Sequence, residues 1–262
     1  MIERCDAIRL EGVKSSGRTR PLVIECVFET EGIDERRQML VKAFDFPEVD
    51  HYSLYCELLG NLLARELGLF TAAPALVILS DEFVDATNSV LPNLQVPYRL
   101  RPGVALGCQY FSQITPLLSD ASPPLEEAEN AARIFAYDLI VQNPDRTPTN
   151  PNCGIESGKL LAYDFNLAFS FLVAIGGDPE PWRLSNSGIG PKHLFRRFLA
   201  SQQVNWNWVI QPLRTLSLQR IEELSLLVPP EWGDRTEQIC SHMSGIIDHI
   251  DQLAIELQRS LL

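Results

Sequence analysis

Asp145, Asn150 and Asp164 fall within the stretch Gln142–Phe169, QNPDRTPTNPNCGIESGKLLAYDFNLAF. Two carboxylates and a carboxamide at this spacing suit phosphoryl transfer. One side chain accepts a hydroxyl proton, and two oxygen donors hold Mg²⁺ against the phosphates. The same residues also read as a polar turn, since Asn, Pro and Asp are turn residues, or as half of a metal-dependent hydrolase site. A second acidic residue at the end of the apolar run Leu160–Phe165 favours the chemical reading.

These residues need a rigid platform. Leu125–Val141 has helical periodicity, with Ala131, Ile134, Phe135, Leu139 and Ile140 apolar. It stops at Asn143-Pro144, because proline cannot continue a helix and restricts the residue before it. That delivers Asp145 onto a loop stiffened by Pro144, Pro148 and Pro151. A turn over Asn152–Gly158 and a strand over Lys159–Asp164 form a hairpin that returns Asp164 beside Asn150. Arg146 is expected to order the loop, since a guanidinium holds a carboxylate or carbonyls bidentately.

Upstream, residues 7–45 predict a β-meander: a short strand Ala7–Leu10, a Gly/Ser/basic turn Gly12–Arg20, a strand Leu22–Glu29, a charged turn Gly32–Arg37 and a strand Met39–Phe44. Lys42 lies inside the last strand. It reads either as a solvent-facing residue on a half-buried sheet or as a buried cation for phosphate and a helix carboxylate. Tyr52–Gly68 predicts a helix carrying two candidates for that carboxylate, Glu57 and Glu66, with Glu57 preferred beside the apolar stripe. Ala75–Leu79 is a short strand, Ser80–Gly103 an irregular, mobile excursion, and Val104–Phe111 a last strand whose backbone is placed to hydrogen-bond a flat base. Helices are predicted over Lys192–Ser201, Trp206–Thr215, Ser217–Leu226 and Thr236–Leu262. Trp182, Trp206, Trp208 and Trp232 are expected to staple that bundle, and the last helix to belong to the core.

The composition, 45% hydrophobic and 21% charged over 262 residues, allows one large core or two modest lobes. A net charge of −12 argues against nucleic acid and anionic membranes as partners. No run of about 20 apolar residues suggests a membrane span, and MIERCDAIRL does not resemble a signal peptide. The six cysteines show no paired spacing and read as buried thiols of a cytoplasmic protein. His242 and His249 share a helix face, but the histidines lack zinc-ligand spacing.

The order of elements, a strand with Lys42, a helix with Glu57, strands, a helix, Asp145 to Asn150, a strand and Asp164, resembles the protein-kinase-like fold. More closely it resembles the HipA-like kinases, the short-chain branch of the HipA-type bacterial serine/threonine kinases. The resemblance is carried by VKAF around Lys42, ELLGNLLARELGL from Glu57, NPDRTPTNPN, YDFNLAF and the late VPPEW. It implies an α+β, bilobal architecture. The N-terminal lobe, residues 1–112, would be small, antiparallel and β-rich, with one helix over 52–68. The larger, mainly α-helical C-terminal lobe, residues 113–262, would carry a catalytic loop at 143–152 and a metal motif at 164–166.

It further implies ATP and Mg²⁺ as cofactors and transfer of the γ-phosphate to a protein serine or threonine. A small-molecule or lipid acceptor, or a non-catalytic nucleotide-binding module, is the alternative. Asp145 would be the catalytic base, with Lys42 and Arg146 beside it in the catalytic set. Lys42 would also hold the α- and β-phosphates and pair with Glu57. Asn150 and Asp164 would bind the metal. Gly12, Ser15, Ser16 and Gly17 would form the phosphate-covering loop, with Ser15 or Ser16 as sites of regulatory autophosphorylation. A protein substrate and an antitoxin or other regulatory partner are implied but not identified. The chain departs from common protein kinases at three points: no GxGxxG in the loop, no histidine shortly before Asp145, and Asn166 where a glycine is usual.

Overall fold

The computed structural model describes residues 2–14, 20–30, 32–43, 49–96, 98–117, 122–174 and 178–262. Ser15, Ser16 and Gly17 therefore lie outside the described residues. The chain folds as two compact units. Met1–Leu58, Ala72–Ser112 and Pro229–Gly233 form the first, and Leu59–Thr71, Gln113–Val228 and Asp234–Leu262 the second.

In the first unit, β1 (Glu3–Val13), β2 (Leu22–Thr30) and β3 (Ile33–Lys42) form an antiparallel meander. Their inward residues alternate as a half-buried sheet requires: Leu22, Ile24, Cys26 and Phe28 are buried on β2, Met39 and Val41 on β3. The strands are longer than their apolar runs. Ala7–Leu10 is only the middle of β1, and the charged stretch taken for a turn opens β3 at Ile33. Charge is tolerated there because that end of the ladder is exposed. Arg37 lays its guanidinium 3.5 Å from the Phe28 ring centre and pairs with Glu3 at 2.7 Å.

β4 (Pro74–Leu79) pairs with β1 in parallel and with β5 (Gly103–Gln109) antiparallel, and β5 returns to β3. The strands close into a barrel of order β1-β2-β3-β5-β4, and the sheet expected to be antiparallel contains one parallel pair, β1 with β4. Gly107 is required by that closure: a Cβ there would stand 2.6 Å from Cγ2 of Val77.

Helix α1 (His51–Glu66) starts at Asp50, whose carboxylate accepts from the Ser53 amide at 2.7 Å, and stops at Gly68 with φ 81°. The stretch after β4 is not the irregular excursion expected from its polarity. It contains α2 (Asp81–Val90), capped by Ser80 and burying Phe83, Val84 and Thr87, then a 3₁₀ turn, Leu91–Leu94. Asn88 fastens the return of the chain through both backbone groups of Leu100.

In the second unit, a 3₁₀ turn, Leu125–Glu127, precedes α3 (Ala128–Ile140), so the α-helix begins later than its apolar pattern. A small sheet pairs β6 (Thr115–Pro116), β7 (Cys153–Glu156) and β8 (Lys159–Ala162). The β7–β8 hairpin turns through Ser157 and Gly158, both with positive φ, the backbone a two-residue hairpin of this twist needs. β8 ends at Ala162, so Asp164 follows the strand rather than lying in it.

The helices that follow are shorter than predicted: α4 (Arg196–Ala200), α5 (Trp206–Val209), α6 (Leu218–Ser225), α7 (Thr236–Asp248) and α8 (Ile250–Arg259). Pro212 converts the end of the second predicted helix into a 3₁₀ turn, Gln211–Thr215. His249 splits the last one: Nδ1 donates to the Gly245 carbonyl, and the ring stacks 3.6 Å from Trp182. His242 donates from Nε2 to the Ile140 carbonyl at 2.8 Å. Trp206 is buried in this unit and Trp208 lies under Arg133, whereas Trp232, also buried, belongs to the first unit.

Among the described residues no disulfide joins any of the six cysteines. Among the described residues no helix is long and apolar enough to cross a membrane.

Candidate active site

Lys42 ends β3 in the first unit, and its Nζ lies 3.1 Å from Oε2 of Glu57 on α1. The two side chains are 15% and 4% exposed, so neither is a solvated surface charge. Glu66, the other candidate, pairs with Arg220 at 2.9 Å instead. A buried ion pair is weak evidence for stability, because desolvation offsets most of the attraction. Its presence at a strand end points to use by something other than folding.

Gly12 and Val13 end β1, and the Lys14 amide donates to the Pro21 carbonyl at 2.9 Å, closing the root of the loop between them. That root is held by the segment after α2. Arg20, with φ 45°, donates from Nη1 to the Gln95 carbonyl at 2.6 Å, and the Tyr98 hydroxyl donates to the Arg20 carbonyl at 2.7 Å. Sequence reasoning missed this support, because it treated residues 80–103 as an irregular, mobile excursion.

In the second unit, α3 runs out at Ile140 and Gln142 turns the chain with φ 50°. Oδ1 of Asn143 accepts from the Asp145 amide at 3.2 Å, a local turn that Asn favours. Thr147 and Asn150 exchange backbone hydrogen bonds at 3.0 Å across the loop. Oδ2 of Asp145 accepts from Nδ2 of Asn150 and from Nδ2 of Asn152, each at 2.8 Å. Burial pushes the Asp145 carboxyl above the ordinary aspartate range, the amides of Asn150 and Asn152 pull it back, and the Asp164 charge raises it further. The two carboxylates are thus close enough to feel each other. Asp164 itself has φ 60°, a conformation Asp tolerates better than most residues.

Beneath the loop lies a buried polar network. Arg146, 1% exposed, donates from Nε to Oδ2 of Asp138 at 2.6 Å and from Nη1 to the carbonyls of Asn152 and Tyr163. Asp138, on α3, also accepts from Nδ2 of Asn143 at 2.9 Å and from Nε2 of His193 at 3.0 Å. Burial alone would raise the Asp138 carboxyl, but the charge of Arg146 and the His193 contact hold it below its ordinary value. His193 is held low by burial. Its Nδ1 accepts from the Phe195 amide at 3.1 Å, which fixes the neutral tautomer with the proton on Nε2. Arg146 was expected beside Asp145 in the catalytic set. Its guanidinium is spent on Asp138 of α3 and on the carbonyls of Asn152 and Tyr163, so that it ties the loop to α3 and to the exit of β8.

Sequence reasoning missed Asp138, Asn143, Asn152 and His193. Asp138 carried a signal, a carboxylate three and four residues from Phe135 and Ile134 on an apolar helix face. His193 carried none.

Asn150 and Asp164 suit a hard cation. Asn150 turns its Nδ2 toward Asp145, leaving Oδ1 for other partners, and Asp164 supplies a carboxylate. Oδ1 of Asn166, two residues on, is buried and accepts no hydrogen bond, a further oxygen donor in this segment. Among the described residues no three His, Cys, Asp or Glu side chains cluster as a metal cage. One carboxylate and a carboxamide are the donor set by which Mg²⁺ is shared with substrate phosphates. Beside the loop opens a cavity of about 410 Å³, walled by Leu117, Pro148, Thr149, Pro151 and Tyr163 among others.

The solved structure of the Helicobacter pylori proinflammatory kinase CtkA is similar over 98% of this chain and 99% of that one, with a TM-score of 0.53 and 13% identity. At that identity the likeness establishes the fold, which is kinase-like with mixed helices and strands. The Neurospora crassa PAN3 pseudokinase aligns over 95% of this chain and 66% of its own, at a TM-score of 0.33 and 9% identity. No curated protein matches the chain. The family model described as HipA-like kinase matches residues 14–259, nearly the whole sequence. The chain belongs to the HipA-like kinase family.

Proposed function

We propose that this protein is an ATP- and Mg²⁺-dependent phosphotransferase that moves the γ-phosphoryl group to a serine or threonine hydroxyl of a protein. The observation that carries the reading is the buried Lys42–Glu57 pair at 3.1 Å. A hydrolase built on Asp145 and Asp164 alone would have no task for it, whereas a kinase needs a lysine held in one direction to meet phosphate. Family membership and the kinase-like fold support the same reading.

Asp145 takes the proton of the acceptor hydroxyl, and its raised pKa makes it a better base than an exposed aspartate. Asn150 and Asp164 would hold Mg²⁺, which when bound neutralises the phosphate charge that grows during transfer. Lys42 meets the α- and β-phosphates, and Glu57 keeps it aimed. Gly12 and the residues after it cover the phosphates. In this reading the two compact units correspond to the small and large lobes of a protein-kinase-like fold, with 1–112 and 113–262 as the approximate halves.

The acceptor class is tested by offering γ-labelled ATP and Mg²⁺ together with a protein lysate or with a panel of small hydroxyl compounds. Label is expected on protein serine or threonine, and on the chain itself. Label confined to small molecules would replace the acceptor assignment while leaving the phosphotransferase intact.

A further inference from the structure

Asp145 is held by two carboxamides. Nδ2 of Asn150 and Nδ2 of Asn152 both point at one oxygen, Oδ2, at 2.8 Å. Oδ1 is the oxygen neither amide holds. A carboxylate turns broadly about its terminal bond unless its oxygens are made inequivalent, and two donors on one oxygen do that. The amide orientation follows from the chemistry, since a flipped Asn152 would set oxygen against oxygen.

Asn152 is itself fixed. Its backbone has φ 47°, its carbonyl accepts from Nη1 of Arg146 and from the Tyr163 amide, and its side chain is buried. Asparagine is among the few residues that adopt this left-handed backbone readily. The residue type at 152 therefore answers two demands, the turn and the grip on Asp145. Asn150 has a second task in the proposed metal site, but Asn152 has none besides these.

We propose that Asn152 is a positioning residue of the transfer reaction: with Asn150 it fastens Oδ2 of Asp145 and so presents Oδ1 to the acceptor hydroxyl. The inference rests on the phosphotransferase reading above. In the step, the acceptor O–H bond breaks and its proton goes to Oδ1. The acceptor oxygen bonds to the γ-phosphorus, and the bond from that phosphorus to the β–γ bridging oxygen breaks, its electron pair leaving with ADP.

The test uses the full chain. Asn152→Gly keeps the left-handed backbone and removes only the carboxamide. Asn152→Asp keeps the shape and replaces a donor by a charge that repels Oδ2, and it preserves the test should glycine loosen the loop. Both variants are expected to lose about 10- to 100-fold in kcat, as small misplacements of a reacting group do, with the KM for ATP close to that of the parent in both and the Tm close to it in Asn152→Gly. Parent-like kcat in both, or a kcat that falls only in step with ATP affinity and Tm, overturns the inference. Asp145→Asn is assayed alongside. If the parent transfers no phosphate, the phosphotransferase reading fails and takes this inference with it; if Asp145→Asn transfers like the parent, Asp145 is not the base and this inference falls with that assignment. If Asp145→Asn is inactive while both Asn152 variants match the parent, this inference alone fails.

Discussion

Lys42 and Glu57 illustrate how burial changes what a residue can be for. In the sequence each had a bland explanation, a strand lysine facing solvent and an exposed helix carboxylate. At 15% and 4% exposure, with 3.1 Å between them, neither explanation holds. Removing one member of a buried ion pair costs about 3–5 kcal/mol, while replacing both by apolar groups is often neutral. Lys42→Met is therefore expected to lower the unfolding free energy by roughly that amount, and Lys42→Met combined with Glu57→Leu to recover most of it. Neither should bind ATP as the parent does. Urea denaturation and nucleotide titration check the pair, and a double variant that regains ATP affinity would contradict the assigned role.

At the scale of the element, the loop carrying Asp145 is rigid because α3 reaches under it. Asp138 collects Arg146, Asn143 and His193, and Arg146 in turn grips the carbonyls of Asn152 and Tyr163. This network gives a pH dependence with a definite sign. Burial depresses the His193 pKa, and its Nδ1 is occupied by an amide donor. Below the ordinary histidine value of 6.5, the unfolded chain binds a proton at this ring and the folded chain does not. Stability is then fully present above that value and is lost as pH falls below it. Urea midpoints at pH 7.5 and 5.5 should show the loss, and His193→Gln, which can still donate to Asp138, should lessen it. Equal acid losses in parent and variant would contradict the neutral buried ring.

Much of this was legible beforehand, and the limits have physical causes. Lys42, Glu57, Asp145, Asn150 and Asp164 sat in runs whose periodicity or prolines announced a strand, a helix or a stop. Asp138 hid because helical periodicity treats a polar residue on an apolar face as noise, and His193 because its partner lies 55 residues away. Helix α2 hid because its second half, DATNS, has little helix propensity. It folds on Ser80 as its cap and on the burial of Phe83 and Val84. The strand predicted over Met39–Phe44 ends at a residue outside the described ones, and it missed the start of β3 at Ile33, because exposed strand residues carry charge as readily as a turn does.

For the molecule as a whole, the proposed reaction needs ATP and Mg²⁺ bound to the folded chain, with Asp164 among the residues that would hold the metal. Binding to the folded state must then show as added stability, about 2.7 kcal/mol at a hundredfold excess over Kd. ATP with Mg²⁺ is expected to raise the Tm. Chelating the metal should remove most of the rise in the parent, and Asp164→Asn should show little difference with or without metal. Equal stabilisation in parent and variant, independent of Mg²⁺, would argue that Asp164 holds no metal.

The most direct measurement is transfer of label from γ-labelled ATP by the purified parent and by Asp145→Asn, with matched melting curves to show that both are folded. The account predicts labelled protein with the parent and a loss of roughly 10²–10⁴-fold in the variant, the range a general base contributes. Label transferred equally by both would contradict the assignment of Asp145 as the base.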